Sequence, residues 1–432
     1  MPDIHLSAHP FDIAFHPNHN TVYAGLLTGH VNAYTYDEDG DAKRVWSARP
    51  SKKSCRSLAV SQDGKQLWYA GKGKSLATID TTTGVVSEKR VRAHDASINR
   101  VAHFSPGLLS TGDDEGVIKL WDPRQKDAVR TYTQHFDYIT DFLWLENKKH
   151  LVATSGDGTL SVMDVRYKNP KPHAQSEDQE DELLSIVPIK GGSKFVVGTQ
   201  LGILSIFNQS SGWGDCVDRV PGHPQSVDTM LALPPSFSNA KGNTILTGSS
   251  DGFIRAVEIL PTKLLGVVAD HGEFPVERMA LGRGIASGGD TAEKERAGSS
   301  SRVGGQSDSD DDSPVSDSTQ ERWWLGSIGH DELLKLTDLR AALNQLEGGD
   351  AKEDEAAEAL GDDDEVASSN DDEAVDTAIA AAADAGDSSS DEEAETLKER
   401  KRKRKPEKNP LMINKKKGRN EVDADKSFFE GL

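Results

Sequence analysis

Histidine, hydroxyl and carboxylate side chains recur together along this sequence, which is the composition of a hydrolase triad. Two sets stand out, His94 with Ser110 and Asp114 or Glu115, and His223 with Thr247 and Asp251. Catalysis needs one site, whereas a set that recurs along the chain indicates a repeated structural role. We therefore predict that the protein is not an enzyme and has no catalytic residues.

Two other motifs also fail as chemical sites. Gly71-Lys72-Gly73-Lys74-Ser75 resembles the end of a phosphate-binding loop, but that motif requires glycine at position 68, which is Trp68. The histidines have no zinc-ligand spacing with the two distant cysteines, Cys55 and Cys216. The sequence therefore predicts no cofactor and no metal, and two cysteines alone favour a reducing compartment.

A repeated strand ending organises the chain. In TGDDEGVIKLWDPR, residues 111–124, a polar turn leads into an apolar strand that ends at Trp121. The same ending recurs at Tyr36, Ile79, Met163, Phe207, Val257 and Thr337. Most spacings are 42–44 residues, which is typical of a WD repeat, the four-stranded blade of a β-propeller. Because one sheet cannot bury both faces alone, we predict an all-β, seven-bladed WD-repeat propeller.

The recurring triad-like residues then have a structural interpretation. In a WD blade they form a hydrogen-bonded chain with the tryptophan and tie the strands to the turn. The predicted structural blade residues are His94, Ser110, Asp114, Trp121, Asp157, His223, Asp251 and Asp331. Blades 4, 6 and 7 lack the tryptophan, so we expect their chains to be incomplete.

Composition divides the chain into three regions. We assign residues 1–340 to the propeller, with Ile4–Ser7 closing blade 7 and a disordered insertion at 282–320. Residues 341–397 are assigned to an acidic disordered region; within it, 347–397 contains 20 acidic residues and one lysine, a net charge of −19. Residues 398–432 form a basic tail. We expect a monomer with no signal peptide and no membrane span.

An Asp-x-Arg pattern follows the third strand of two consecutive blades. These candidate adaptor-binding residues are Asp122, Arg124, Asp164 and Arg166, and Asp338–Arg340 repeats the pattern in blade 7. An arginine fork suits an acidic or carbonyl-rich partner surface. Substrate receptors of cullin-RING ubiquitin ligases carry a similar pattern, which makes a ligase adaptor one candidate partner. The alternative is that these arginines pack locally.

Blade 2 and the tail carry basic clusters. Between residues 43 and 92 there are 12 Lys and Arg against three acids, and we single out Lys52, Lys53 and Arg56 as a candidate basic patch. It would contact RNA, an acidic partner or the acidic tail, or it is a solvated rim. In the tail, the predicted nuclear-targeting residues for an import receptor are Lys401, Arg402, Lys403, Arg404, Lys405, Lys415, Lys416 and Lys417.

The order of these parts resembles one family. A WD propeller with a third blade ending in WDPR, an interrupted blade 7, an acidic segment, KRKRKPEKNPLMINKKKGR and a terminal FFEGL are similar to the WD repeat-containing protein 55 family. The resemblance implies a nuclear, mainly nucleolar scaffold that acts with ribosome-assembly factors in ribosome biogenesis and ribosomal RNA production. Two alternatives stay open, a ubiquitin-ligase substrate receptor and a histone or histone-chaperone binder.

Overall fold

The computed structural model describes residues 3–237, 242–284 and 322–346. Within these residues the chain forms seven four-stranded antiparallel sheets, which confirms the seven-bladed propeller. The predictions for residues 285–320, 347–397 and 398–432 lie outside the described residues. No helix in the described ranges has the length and apolar character needed to cross a membrane.

The strands follow the chain in order, after an initial strand β1 (Asp3–His5). Blade 1 contains β2 (Pro10–Phe15), β3 (Thr21–Leu26), β4 (Val31–Tyr36) and β5 (Ala42–Ala48). Blade 2 contains β6 (Cys55–Val60), β7 (Gln66–Gly71), β8 (Leu76–Asp80) and β9 (Val86–Arg90). Blade 3 contains β10 (Ile98–Ser105), β11 (Leu108–Asp113), β12 (Ile118–Trp121) and β13 (Ala128–Tyr132). Blade 4 contains β14 (Ile139–Leu145), β15 (His150–Ser155), β16 (Leu160–Asp164) and β17 (Ala174–Gln175).

The remaining blades complete the ring. Blade 5 contains β18 (Leu183–Ile189), β19 (Lys194–Thr199), β20 (Leu204–Asn208) and β21 (Asp218–Val220), with short 3-10 helices at Lys190–Gly192 and Gln209–Ser211. Blade 6 contains β22 (Val227–Ala232), β23 (Thr244–Ser249), β24 (Phe253–Glu258) and β25 (Lys263–Asp270). Blade 7 contains β26 (Val276–Gly284), β27 (Arg322–Gly329), β28 (Leu333–Asp338) and, as its outer strand, β1.

Strand β1 closes the ring. It pairs antiparallel with β28, with Ile4 opposite Leu334, so the beginning of the chain supplies the last strand of the last blade. The strand occupies Asp3–His5, whereas the sequence predicts Ile4–Ser7 for this role. The first strand of each blade packs against the first strand of the next, from β2 round to β26 and back to β2. The first strands therefore surround a common axis.

The hydrophobic core is divided among the gaps between blades. Seven buried clusters are present in the described residues, and each contains side chains from two adjacent blades. The repeat markers lie in the third strand of their sheets, where Trp121, Ile79 and Phe207 are buried. This arrangement explains the repeat, because each sheet buries its two faces only between two neighbours.

Two predicted boundaries need correction. Strand β26 continues to Gly284, which pairs with Arg322, so residues 282–284 belong to the sheet and not to the insertion. Residues 339–346 are helical, so ordered structure extends past the boundary predicted at 340. Leu339 and Ala342 of this helix, which we call α1, are buried in the core between blades 6 and 7.

Helix α1 has a local explanation in the sequence. The carboxylate of Asp338 accepts a hydrogen bond from the backbone N–H of Ala341 at 3.1 Å, as an N-cap does. Leu339, Ala342, Leu343 and Leu346 have the i, i+3, i+4, i+7 spacing of one helix face, and all four contact the same core. The apolar face therefore binds α1 to blades 6 and 7.

Candidate protein-interaction site

Blade 3 contains the expected hydrogen-bonded chain, but two of its predicted members are wrong. His94 Nδ1 lies 2.7 Å from Asp113 Oδ2 and His94 Nε2 lies 2.6 Å from Thr111 Oγ1. Trp121 Nε1 donates to the same hydroxyl at 2.8 Å. Thr111 and Asp113 thus replace the predicted Ser110 and Asp114. Since side chains alternate along a strand, Ser110 lies on the opposite face of β11, and its hydroxyl has no hydrogen-bond partner in the described residues.

Blades 4 and 7 keep a shorter chain without tryptophan. In blade 4, His135 contacts Asp157 at 3.0 Å and Ser161 at 2.7 Å. In blade 7, His271 contacts Asp331 at 2.8 Å and Ser327 at 2.9 Å. The structure thus places Asp157 and Asp331 in these chains, while the partners His135 and Ser161 were missed. Burial opposes ionisation of Asp157, but hydrogen bonds from His135 and Thr159 lower its pKa to about 2.

In blade 6 the predicted residues His223, Thr247 and Asp251 do not form one hydrogen-bonded chain, because they make two separate contacts. His223 Nε2 lies 2.9 Å from Thr247 Oγ1, as the pattern predicts. Asp251 instead accepts two hydrogen bonds from Arg255, at 3.0 and 2.7 Å. The long arginine side chain, four residues further along, reaches the carboxylate, so Asp251 makes no hydrogen bond to His223 here.

These chains have triad-like geometry in places but no access for a substrate. The hydroxyls of Thr111, Ser161 and Ser327 belong to residues with 0% exposure. Burial also lowers the pKa of His94, although Asp113 opposes this effect. The lowered pKa favours the neutral ring, which suits a buried hydrogen bond. The arrangement connects turns to strands and leaves interaction surfaces as the candidate functional sites.

The Asp-x-Arg arginines lie on the lower face, which we define by the connections between third and fourth strands. Arg124 forms a two-pronged pair with buried Asp122, at 2.8 Å for both Nε and Nη2. Arg166 pairs with Asp164 in the same way, at 2.9 and 2.6 Å. Both guanidinium groups stay accessible, with the side chains 69% and 49% exposed.

The third copy of the pattern has a different role. Asp338 caps helix α1 and pairs with Arg322 at 2.8 Å. The guanidinium of Arg340 lies over the ring of Phe237, 5.4 Å from its centroid. The resemblance between the three copies is therefore limited to blades 3 and 4.

The candidate basic patch is divided by the fold. Lys52 and Lys53 are exposed in the connection between blades 1 and 2. Arg56 instead points toward the propeller axis, where its Nη1 lies 2.6 Å from Asp114. Arg56 is therefore neutralised by a carboxylate and does not belong to the exposed patch.

A ring of polar side chains surrounds the axis, with one residue from the first strand of every blade. The ring consists of Asp12, Ser57, Arg100, Asp141, Ser185, Thr229 and Arg278, each on the first strand where its register shifts. Members of the ring contact neighbouring blades. Ser57 Oγ donates to Asp12 at 2.9 Å, for example, and Arg100 Nε donates to Asp141 at 2.9 Å. Sequence reasoning missed this ring, although its spacing of 41–49 residues follows the blade period.

A cavity of about 430 Å³ opens above this ring, on the upper face that carries the turns between second and third strands. We call it the axial cavity. Its lining comes from all seven blades, and the residues are Phe11, Arg56, Asn99, Asp114, Tyr138, Ile139, Thr140, Leu184, Gln200, Asp228, Glu277 and Arg278. Glu277 also forms a cluster with His9 and His330, whose ligand atoms lie within 4.8 Å of one another.

Comparisons with known proteins match this architecture. The model of the WDR55 family matches residues 1–287. The WD repeat-containing protein JIP5 of Laccaria bicolor is 52% identical and aligns over 100% of both chains. The WD repeat-containing protein 55 of Arabidopsis thaliana is 33% identical over 83% of this chain and 88% of its own.

One solved structure shows the same fold. The crystal structure of the WD40 β-propeller domain of Doa1 has a TM-score of 0.57, with 13% sequence identity, and covers 78% of this chain and 95% of that chain. At this identity the likeness concerns the fold alone.

Proposed function

Because the chain belongs to the WDR55 family, we propose that it is a non-catalytic scaffold in ribosome biogenesis, acting in ribosomal RNA production in the nucleolus. Family membership supports a WD-repeat scaffold, and the resemblance of the whole chain supports the nucleolar role. The observation that carries the non-catalytic part is the burial of the triad-like hydroxyls in the blade chains.

The basic tail supports the location. Residues 398–419 contain 12 Lys and Arg against two Glu, a net charge of +10. Such clusters are bound by import receptors and also attract RNA phosphate. We propose that this tail directs the protein to the nucleus and nucleolus, while the propeller binds ribosome-assembly factors.

The location and the role are tested in two steps. A reporter fused to residues 397–432 should enter the nucleus and concentrate in the nucleolus, whereas a protein ending at residue 396 should be diffuse or cytoplasmic. If the shortened protein still concentrates in the nucleolus, the propeller sets the location. Depletion of the protein should reduce newly labelled ribosomal RNA, and unchanged labelling contradicts the proposed role.

A second candidate function is that of a substrate receptor for a cullin-RING ubiquitin ligase. The observation that favours it is the pair of exposed arginine side chains, Arg124 and Arg166, held by Asp122 and Asp164 in equivalent connections of consecutive blades. Changing both to Ala should abolish adaptor binding in co-purification while the propeller keeps its melting temperature. Adaptor binding that persists in this variant, or is absent from the parent protein, eliminates this candidate.

A further inference from the structure

The lining of the axial cavity has three carboxylates, Asp114, Asp228 and Glu277, and two arginines, Arg56 and Arg278. Three carboxylates of the axis are balanced by arginines: Asp114 by Arg56 at 2.6 Å, Asp141 by Arg100 at 2.9 Å, and Asp12 by Arg100 at 3.6 Å together with Arg278 at 3.8 Å. That leaves Asp228 and Glu277, both in the cavity lining. Neither forms an ion pair with a lysine or arginine among the described residues, although Glu277 contacts His330 and lies 3.9 Å from His9.

Asp228 is a partly buried carboxylate, and burial disfavours its ionised form. Its carboxylate is held by two hydroxyls, Ser250 at 2.7 Å and Ser226 at 3.1 Å, and no lysine or arginine of the described residues pairs with it. Burial raises the pKa of Asp228 and the charge of Glu277 adds to this rise, whereas the hydrogen bonds from Ser250 and Ser226 and the charge of Arg278 oppose it. A positive group placed in the cavity would stabilise the ionised form of both carboxylates, because an opposite charge favours the charged state.

The cavity walls suit a flat or elongated cation. Phe11 and Tyr138 line the cavity from blades 1 and 4 with aromatic rings, and such rings attract guanidinium and ammonium groups. The Tyr138 hydroxyl donates to Glu182, which fixes the ring. A volume of about 430 Å³ admits one long side chain with part of its backbone.

An acidic loop extends the negative surface outward from the cavity. Glu177, Asp178 and Glu180 are exposed on the connection between blades 4 and 5, which leads to Glu182, the partner of Tyr138. The loop is held in place by Gln179, which donates to Asp215 at 3.1 Å and to the carbonyl of Glu177 at 3.2 Å. A chain leaving the cavity in this direction would therefore meet further carboxylates.

We propose that the axial cavity binds an arginine or lysine side chain carried by an extended basic segment of a partner protein. The proposal names the class of partner for the scaffold function above and rests on that function for its cellular role. Nucleic acid is disfavoured at this site because Asp228 and Glu277 would repel phosphate. The exposed Lys52 and Lys53 lie outside the cavity lining.

The proposal is tested with the full-length protein and a fluorescent peptide of alternating arginine and glycine. A matched peptide carries citrulline in place of arginine, which keeps the shape and removes the charge. Fluorescence anisotropy should show binding of the arginine peptide only. In the double variant Asp228→Asn, Glu277→Gln, affinity should fall by at least about tenfold, because a desolvated charge pair is lost.

A control with the same change in charge separates the cavity from the general acidity of the protein. Asp39→Asn, Asp41→Asn removes two exposed carboxylates from the connection between β4 and β5, on the lower face away from the cavity, and should change affinity by no more than about twofold, because exposed charges are screened. The cavity variant should fold normally, since the amide introduced by Asp228→Asn keeps an oxygen acceptor for the two serine hydroxyls, and its melting temperature verifies this.

Three outcomes overturn the proposal. They are equal binding of the citrulline peptide, unchanged affinity in the cavity variant, and an equal loss in the lower-face control. A single-stranded RNA whose binding is lost in the cavity variant would assign the cavity to nucleic acid instead. These measurements use purified protein, so their failure leaves the nucleolar role to the RNA-labelling experiment.

Discussion

At the scale of single residues, the hydroxyl of Thr111 is the centre of the blade 3 chain. It is shared by Trp121 at 2.8 Å and His94 at 2.6 Å, and all three side chains are buried. Thr111→Val keeps the shape and removes the hydroxyl, which leaves both nitrogens without that partner. We expect the free energy of unfolding to fall by about 1–3 kcal/mol, measured by urea unfolding.

The neighbouring residue provides the control for this prediction. Ser110 is equally buried on the same strand, but its hydroxyl has no partner in the described residues. Ser110→Ala should therefore leave stability unchanged or slightly raised. If Ser110→Ala is as destabilising as Thr111→Val, the hydrogen-bonded chain is not what holds the turn.

The residue scale also sets a pH dependence. His103 stacks on Trp68 with ring centroids 4.4 Å apart, and burial lowers its pKa from 6.5 to about 4. Between these values the unfolded chain binds more protons than the folded chain, so stability is lost as pH falls from 6.5 to about 4. His103→Phe should flatten this part of a plot of melting temperature against pH. An unchanged slope would assign the acid sensitivity to other groups.

The error at Ser110 and Asp114 shows what the sequence can predict at this scale. The repeat places a histidine, a hydroxyl and an acid near the same turn, which is enough to predict a structural chain. Which of two adjacent hydroxyls takes part depends on the face of β11, and a shift of one residue reverses that face. The neighbouring residues Ser110 and Thr111 have similar side chains, so composition does not separate them.

At the scale of elements, helix α1 is the part whose role the sequence conceals. Its apolar residues precede a strongly acidic segment, so the composition of the region predicts disorder from residue 341. The burial of Leu339 and Ala342 shows that this apolar face belongs to the propeller. The strands were easier to predict, because a period of about 42 residues survives even where a single blade has weak motifs.

The contribution of α1 is testable by truncation. A chain ending at residue 346 should melt at a higher temperature than a chain ending at residue 338, since the shorter chain exposes the core between blades 6 and 7. The difference should be about 2–4 °C per kcal/mol lost, as expected for a large domain. Equal melting temperatures would show that α1 packs without stabilising the propeller.

A second element-level constraint is the close approach between neighbouring blades. A Cβ atom added at Gly112 in β11 would lie 2.5 Å from the side chain of Ile139 in β14. Because the Cβ of Ile139 is fixed to its backbone and cannot move aside, Gly112→Ala should lower the free energy of unfolding by about 1–3 kcal/mol, measured by urea unfolding. The cost of Gly112→Ala should be smaller in an Ile139→Ala background, which lacks the two Cγ atoms that the added Cβ would meet, and an equal cost there would place the strain elsewhere.

At the scale of the whole molecule, the axis combines two roles in adjacent layers. The polar ring connects the first strands of neighbouring blades through hydrogen bonds. The axial cavity above it is lined by carboxylates that no arginine of the ring pairs with. A sequence with a formal net charge of −21 gives no indication of this separation. Its charges become a site only when the seven first strands bring residues from distant repeats together.

The last prediction concerns closure of the ring. Removal of residues 1–8 deletes β1, leaves the edge of β28 unpaired, and takes Ile4, Leu6 and Ala8 out of the core between blades 7 and 1. We expect a lower melting temperature and faster hydrogen exchange that begins in β28. Removal of residues 288–318, which the sequence predicts to be a loop between β26 and β27, is the control, because the entropy of closing a loop changes only slowly with its length. If removal of residues 1–8 lowers the melting temperature no more than removal of residues 288–318 does, blade 7 is stable without its fourth strand. The pairing of β1 with β28 would then not stabilise the ring.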